Sequence, residues 1–254
     1  MTAQVLFDGA HLRAEVHNPD AEVLFVTFDR WRRDRDGFAT WAPSARVAKR
    51  GFAEVIIKTA RNDWYLNRDL EGLRAALKAF SGRYRTVRCF AFSMGAYAAL
   101  LLSRSLRLRH AVLVSPQWSV FPGQAPFDTR WRREAAGLDV GLDVGLGDLA
   151  KVMAPRLRGV VLFDPVGVPV DGGHARLILN HAPRLAGVAM ALAGHPATQV
   201  MLETRAYGGL RDLAFAGVSD PALYRALHVT ARAGSSLYQQ RLRARLALRA
   251  ARVR

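Results

Sequence analysis

The chain has 254 residues, half of them hydrophobic and 9% aromatic, which supplies enough apolar side chain for a sizeable core and excludes a disordered chain. Lysine and arginine number 37 against 21 aspartates and glutamates, a net charge of +16 carried mostly by arginine, so the surface attracts anions of any kind without choosing among them. The single cysteine, Cys89, excludes an intrachain disulfide and needs no oxidising compartment.

The first ten residues, MTAQVLFDGA, have neither a basic start nor a long apolar stretch. No run reaches the roughly 18 apolar residues of a membrane span, so a soluble, cytoplasmic protein with no transmembrane segment is expected.

In chain order, QVLFDG and RAEVHN predict a hairpin before residue 22. Apolar runs follow at 22–29, 52–60, 86–93, 110–117, 159–165 and 187–195, separated by segments of helical character. Their hydrophobicity is continuous rather than alternating, which marks strands covered on both faces. Leu70, Leu73, Leu77 and Phe80 recur at spacings of three and four, predicting an amphipathic helix over 69–80. The series implies an α/β protein with a mostly parallel central sheet flanked by helices.

Two segments interrupt this rhythm. Residues 118–155 carry two tryptophans, prolines and the near-repeat GLDVGLDVGLGD, and are expected to form an insertion over the end of the sheet where ligands bind. Residues 221–254 contain no carboxylate side chain and end RLRARLALRAARVR, six arginines in fourteen residues. They predict a basic helical C-terminal extension to a domain spanning 1–220, able to meet an anionic partner.

The chemistry points to CFAFSMGAYAALLL, residues 89–102. An apolar strand, then Ser93 with Ala91 two before and Gly95 two after, then a helix, is the context of a nucleophile elbow. Such a turn lifts the serine Oγ above the sheet and brings strand and helix backbones together, so only small flanking side chains fit. Ala91 replaces the usual first glycine by one methyl. The Met94 N–H, at the helix start, can donate to a developing oxyanion. An ordinary N-capping serine would also occupy such a junction.

Here the chain resembles the α/β-hydrolase superfamily, and FSMGAYAAL resembles the elbow of its serine esterases. The likeness spans roughly residues 20–206. NDWY (62–65), SMGAYAAL (93–100), SPQ (115–117), DP (164–165) and GHP (194–196) look like a poorly characterised group of bacterial hydrolase-like proteins. The superfamily order of serine, acid and histidine implies His195 as the base, after the last apolar run. It leaves two candidates for the acid. Asp171 follows the strand by a loop, as is usual in the superfamily, and Asp164 ends the strand itself. The second oxyanion donor is expected near Phe28 or Asp29, and the lipase-type HGGG sequence is absent. Trp64, Gln117 and Trp118 fall at strand ends and could line a substrate pocket, or anchor loops. His174 and His181 read as solvated residues at helix ends.

No metal-ligand motif and no phosphate-binding glycine loop with lysine occurs, so no metal or cofactor is expected. The expected activity is a serine hydrolase cleaving an ester or thioester, with transfer to another acceptor using the same residues. The alternative is a non-catalytic hydrolase-fold module binding an anionic glycan, lipid or protein. The arginine-rich end, residues 241–254, lacks interleaved aromatics that would stack bases, and no DNA-reading motif is present, which argues against nucleic acid.

Overall fold

The computed structural model describes residues 3–252. A hairpin of β1 (Gln4–Asp8) and β2 (Leu12–His17) leads into β3 (Val23–Phe28), the one-turn helix α1 (Ala45–Ala48), β4 (Ala53–Thr59) and helix α2 (Leu70–Ser81). Then come β5 (Thr86–Phe92), α3 (Ser93–Leu101), β6 (His110–Val114) and three short helices, α4 (Arg132–Ala136), α5 (Val140–Leu146) and α6 (Leu149–Val152). Strand β7 (Arg158–Phe163), α7 (Pro169–His181) and β8 (Leu185–Ala189) complete the sheet. Four helices close the chain: α8 (Gln199–Leu202), α9 (Ala206–Ala216), α10 (Pro221–Gly234) and α11 (Ser236–Arg252).

The eight strands form one sheet in the order β1-β2-β4-β3-β5-β6-β7-β8. Pairing is antiparallel for β1–β2 and β2–β4 and parallel from β3 and β4 onward. The predicted α/β class, leading hairpin and parallel series are all present. β3 lies between β4 and β5, so the chain moves outward to β4 and returns past β3 to β5. In open parallel sheets, ligands bind at the carboxyl ends of strands where the winding direction reverses. Here that point lies between the ends of β3 and β5.

Burial follows the residue pattern. Every residue of β4 and β6 is buried, as continuous apolar runs require. Helix α2 buries Leu70, Leu73 and Leu77 against the sheet and exposes its charged side. Helix α3 is buried on every side, because SMGAYAALL carries no charge and its small residues let neighbouring elements approach. Strand β8 ends at Ala189, short of the predicted 187–195, and the rest of that run forms a turn. Helix α10 packs against α8, α9 and β8 and buries Tyr224, His228 and Ala231. The basic stretch 221–254 therefore begins inside the core, and its last two residues lie outside those described. Among the described residues, no helix is long and apolar enough to cross a membrane.

Candidate active site

Ser93 stands at the junction of β5 and α3 with φ of +48°, a left-handed conformation that costs a non-glycine residue free energy and projects its side chain from the turn. Gly95 explains the small flank. A Cβ there would lie 2.8 Å from the Asp29 carbonyl oxygen and 3.0 Å from the Phe28 Cβ, so α3 can meet the end of β3 this closely only at a glycine. Ala91, the other flank, is also buried.

A continuous hydrogen-bond path starts at this serine. Ser93 Oγ lies 2.9 Å from His195 Nε2, and His195 Nδ1 lies 2.7 Å from Asp171 Oδ2. With the carboxylate accepting from Nδ1–H, Nε2 is left as the acceptor facing the hydroxyl. Asp171 is only 1% exposed, whereas His195 keeps 20% of its side chain open. The Gln117 amide donates to Ser93 Oγ at 3.2 Å, and the Trp64 indole N–H donates to the Gln117 oxygen at 3.2 Å, which fixes the orientation of that amide. Ser93 Oγ thus accepts from Gln117 and is free to donate to His195.

The structure brings Asp171, and not Asp164, to the imidazole. Asp171 sits in the first turn of α7 rather than in a loop before it. Asp164 is fully buried and accepts from the backbone N–H groups of Val166, Gly167, Leu192 and Gly194. Its carboxylate is spent shaping the turn that ends in His195, which is also why the apolar run beyond Ala189 leaves the sheet. Gly194, at φ of +86°, completes that turn, and a Cβ there would collide with Gln199 and Arg241. The Gln199 amide donates to the His195 carbonyl at 2.6 Å, and Arg241 of α11 donates to the Leu192 carbonyl at 3.0 Å and pairs with Gln199. One arginine of the basic tail therefore braces the histidine loop.

Of the expected oxyanion donors, Met94 is the second residue of α3, in the first turn, where N–H groups lack intrahelical acceptors. Asp29 does not fit this role, because its N–H donates to the Ile57 carbonyl at 3.0 Å. Its buried carboxylate pairs with Arg35 and accepts the Arg30 N–H. Phe28 ends β3, in register with Ile57, and lines the cavity.

That cavity, about 760 Å³, opens in front of Ser93 and His195. Trp64, Gln117 and Trp118, expected as pocket residues, do not line it. The Trp64 ring is fully buried and Gln117 lies behind Ser93. Trp118 stacks on His181 with centroids 4.5 Å apart. Trp31, Trp41 and Trp131 line the cavity instead, together with Arg30, Arg32 and Arg33. The segment RWRRD after β3 carried the signal for most of this wall as a run of cations and an aromatic at a strand's carboxyl end.

His174 is likewise not the solvated residue expected. It is fully buried, accepts the Trp118 N–H at Nδ1 (3.0 Å) and so carries its proton on Nε2, 2.8 Å from Asp128. Burial alone would raise the Asp128 pKa, but hydrogen bonds from His174 and Arg130 outweigh it and hold this carboxyl well below the usual range. Cys89 is buried inside β5, and burial pushes its thiol far up, away from the reactive thiolate. Among the described residues, no three His, Cys, Asp or Glu side chains are grouped to hold a metal ion.

The fold recurs in solved structures. The capsule O-acetyltransferase of Neisseria meningitidis serogroup A is similar with a TM-score of 0.56 at 12% identity, over 81% of this chain and 92% of that one. The chain has the α/β-hydrolase fold. Other structures similar to this hydrolase-fold chain are acetyl xylan esterase 1 from Thermoanaerobacterium (TM-score 0.50, 17% identity, 80% of this chain and 78% of that one) and a putative thioesterase from Silicibacter (0.53, 14%, 78% and 79%). No family model and no curated protein matches the hydrolase-fold sequence.

Proposed function

We propose that this protein is a serine hydrolase that cleaves an ester or thioester through a Ser-His-Asp triad and an acyl-enzyme. The observation that carries the reading is the unbroken path Asp171–His195–Ser93, with contacts of 2.7 and 2.9 Å, opening on a cavity. His195 Nε2 takes the hydroxyl proton as Ser93 Oγ attacks the acyl carbonyl carbon. Asp171 holds the tautomer and stabilises the imidazolium. The Met94 N–H donates to the developing oxyanion, a role worth about 3 kcal/mol in the transition state.

When the intermediate collapses, the bond from carbon to the leaving oxygen or sulfur breaks and His195 returns its proton to that atom. Water, deprotonated by the same imidazole, then attacks the Ser93 acyl ester, releases the acid and restores the hydroxyl. An alcohol or thiol in place of water makes the step an acyl transfer.

The test is covalent labelling with a fluorophosphonate. Wild-type protein is expected to label and the Ser93→Ala variant not to. A folded wild type that resists the probe would overturn the reading in favour of a hydrolase-fold binding module.

A further inference from the structure

We infer that the cavity takes an acyl substrate bearing phosphate groups, recognised by Arg30, Arg32 and Arg33 on the loop after β3; this deepens the hydrolase reading and rests on it. All three arginines line the cavity that contains Ser93 and His195, and no aspartate or glutamate lines it. Among the described residues none of the three forms an ion pair, and Asp34 and Asp36 on the same loop are exposed and do not line the wall. The one buried carboxylate of this loop, Asp29, is taken by Arg35.

The loop backbone at Arg32 is held in place. The Arg35 guanidinium, 1% exposed, also bonds the Thr59 carbonyl and Asn62 Oδ1. Asn62 grips the backbone of Arg32 from both sides, accepting its N–H at 3.2 Å and donating to its carbonyl at 2.6 Å. Arg32 Nε is buried with no hydrogen-bond partner, and the only bond of its guanidinium is a long one, 3.5 Å, from Nη2 to the Gly37 carbonyl. A guanidinium held partly out of water without a counter-charge costs free energy, and an anion laid against its outer nitrogens offsets that cost.

The spacing argues for phosphate over other anions. Arg30, Arg32 and Arg33 lie within four consecutive residues of one cavity wall, and the planar forks of such guanidinium groups match the several oxygens of a phosphate or diphosphate. The carboxylates of an anionic glycan are set a sugar ring or more apart. Trp31, Trp41 and Trp131 add flat apolar surface beside the cations, and 760 Å³ is room for a ligand of cofactor size.

Calorimetric titration with pantetheine, 4′-phosphopantetheine and coenzyme A tests this, because the three share one thiol arm and differ in phosphate number. Binding is expected to tighten by about tenfold or more from pantetheine to a phosphorylated form, equivalent to one well-made charged contact. The gap should shrink to about threefold or less in Arg32→Gln/Arg33→Gln, with Arg33→Gln alone as the milder variant should the pair fail to fold. Tightening at the first phosphate points to a phosphopantetheine-type group, and tightening only with coenzyme A points to a nucleotide. Equal binding of all three, a gap that survives the substitutions, or tighter binding of oligogalacturonate would overturn the proposal. Titration needs no turnover, so fluorophosphonate labelling of the same sample separates the two readings: labelling without phosphate-dependent binding sinks only this one.

Discussion

Arg130 holds a guanidinium nitrogen 3.0 Å from Oδ1 of Asp171, the oxygen that His195 leaves free, in a charge contact rather than an aligned hydrogen bond. The same guanidinium grips Asp128, and Asp128 returns through His174 to helix α7, one turn from Asp171. The closed circuit Asp171–Arg130–Asp128–His174 fixes the carboxylate that fixes the imidazole.

Replacing Arg130 with methionine leaves two buried carboxylates without their shared cation. A loss of about tenfold or more in kcat is expected as Asp171 shifts, with KM changing little. Stability should fall by roughly 1–3 kcal/mol, less than for a fully buried pair because Arg130 is 27% exposed. Arg130→Lys should restore part of the stability and less of kcat, since an ammonium cannot span both carboxylates as a planar fork does. Steady-state kinetics and denaturant melts check both expectations.

The two aspartates once open as the acid should separate cleanly. Asp171→Asn keeps the shape but loses the acceptor that holds the His195 tautomer, so kcat should drop by roughly 10⁴ with little change in melting temperature. Asp164→Asn cannot accept four backbone N–H groups with one oxygen. It should cost roughly 1–3 kcal/mol and lower activity only as far as the His195 turn loosens. Equal kinetic effects from the two substitutions would contradict the division of roles described above.

The legibility of the sequence follows this division. Strands buried on both faces advertise themselves as apolar runs, and the tight turn at Ser93 demands small neighbours, so the sheet and elbow could be read locally. His195 could be placed by chain order. Asp128, Arg130 and His174 could not, because each looks like an ordinary polar residue until the segment after β6 folds back onto α7. The pocket residues were misjudged for a related reason: a tryptophan at a strand end carries no mark of which side it faces. Trp64 turned inward to hold Gln117, while Trp31 and Trp131 turned to the cavity.

Gly95→Ala tests the close approach of α3 to β3. The added methyl would sit 2.8 Å from a backbone oxygen, which cannot move as a side-chain tip can. A penalty of about 1–3 kcal/mol is expected from overpacking. Labelling by fluorophosphonate should slow as well, because the displaced strand end forms one wall of the site.

Acid should weaken the fold in two stages. Desolvation lowers the pKa of His110 and of His228, although each has a backbone carbonyl partner that acts the other way. The folded state therefore binds these protons more weakly than the unfolded chain, and stability declines as pH falls below about 6.5. Asp128 acts later. Its depressed pKa contributes stability that is fully present above the ordinary carboxylate value and is lost only as pH falls beneath it. Melts from pH 8 to 5 should show the first stage, and His110→Asn and His228→Asn should each flatten it.

The amide behind Ser93 gives the most demanding test of the site. The orientation in which Gln117 donates to Ser93 Oγ is set by the Trp64 indole N–H at its oxygen and by the Ser115 carbonyl at its nitrogen. Gln117→Met removes the donor, letting the hydroxyl proton turn away from His195, and leaves the buried indole N–H without an acceptor. It should lower kcat by about tenfold at unchanged KM, and stability by roughly 1–3 kcal/mol. Trp64→Phe removes only the indole donor, so the amide stays beside Ser93 and a flip of its oxygen toward the serine is opposed by the Ser115 carbonyl alone. A carbonyl facing Oγ competes with His195 Nε2 for the same proton. Trp64→Phe should therefore lower kcat in the same direction although its side chain never touches the serine. A Trp64→Phe enzyme that lost stability yet kept full kcat would show that the amide orientation does not matter to the hydroxyl.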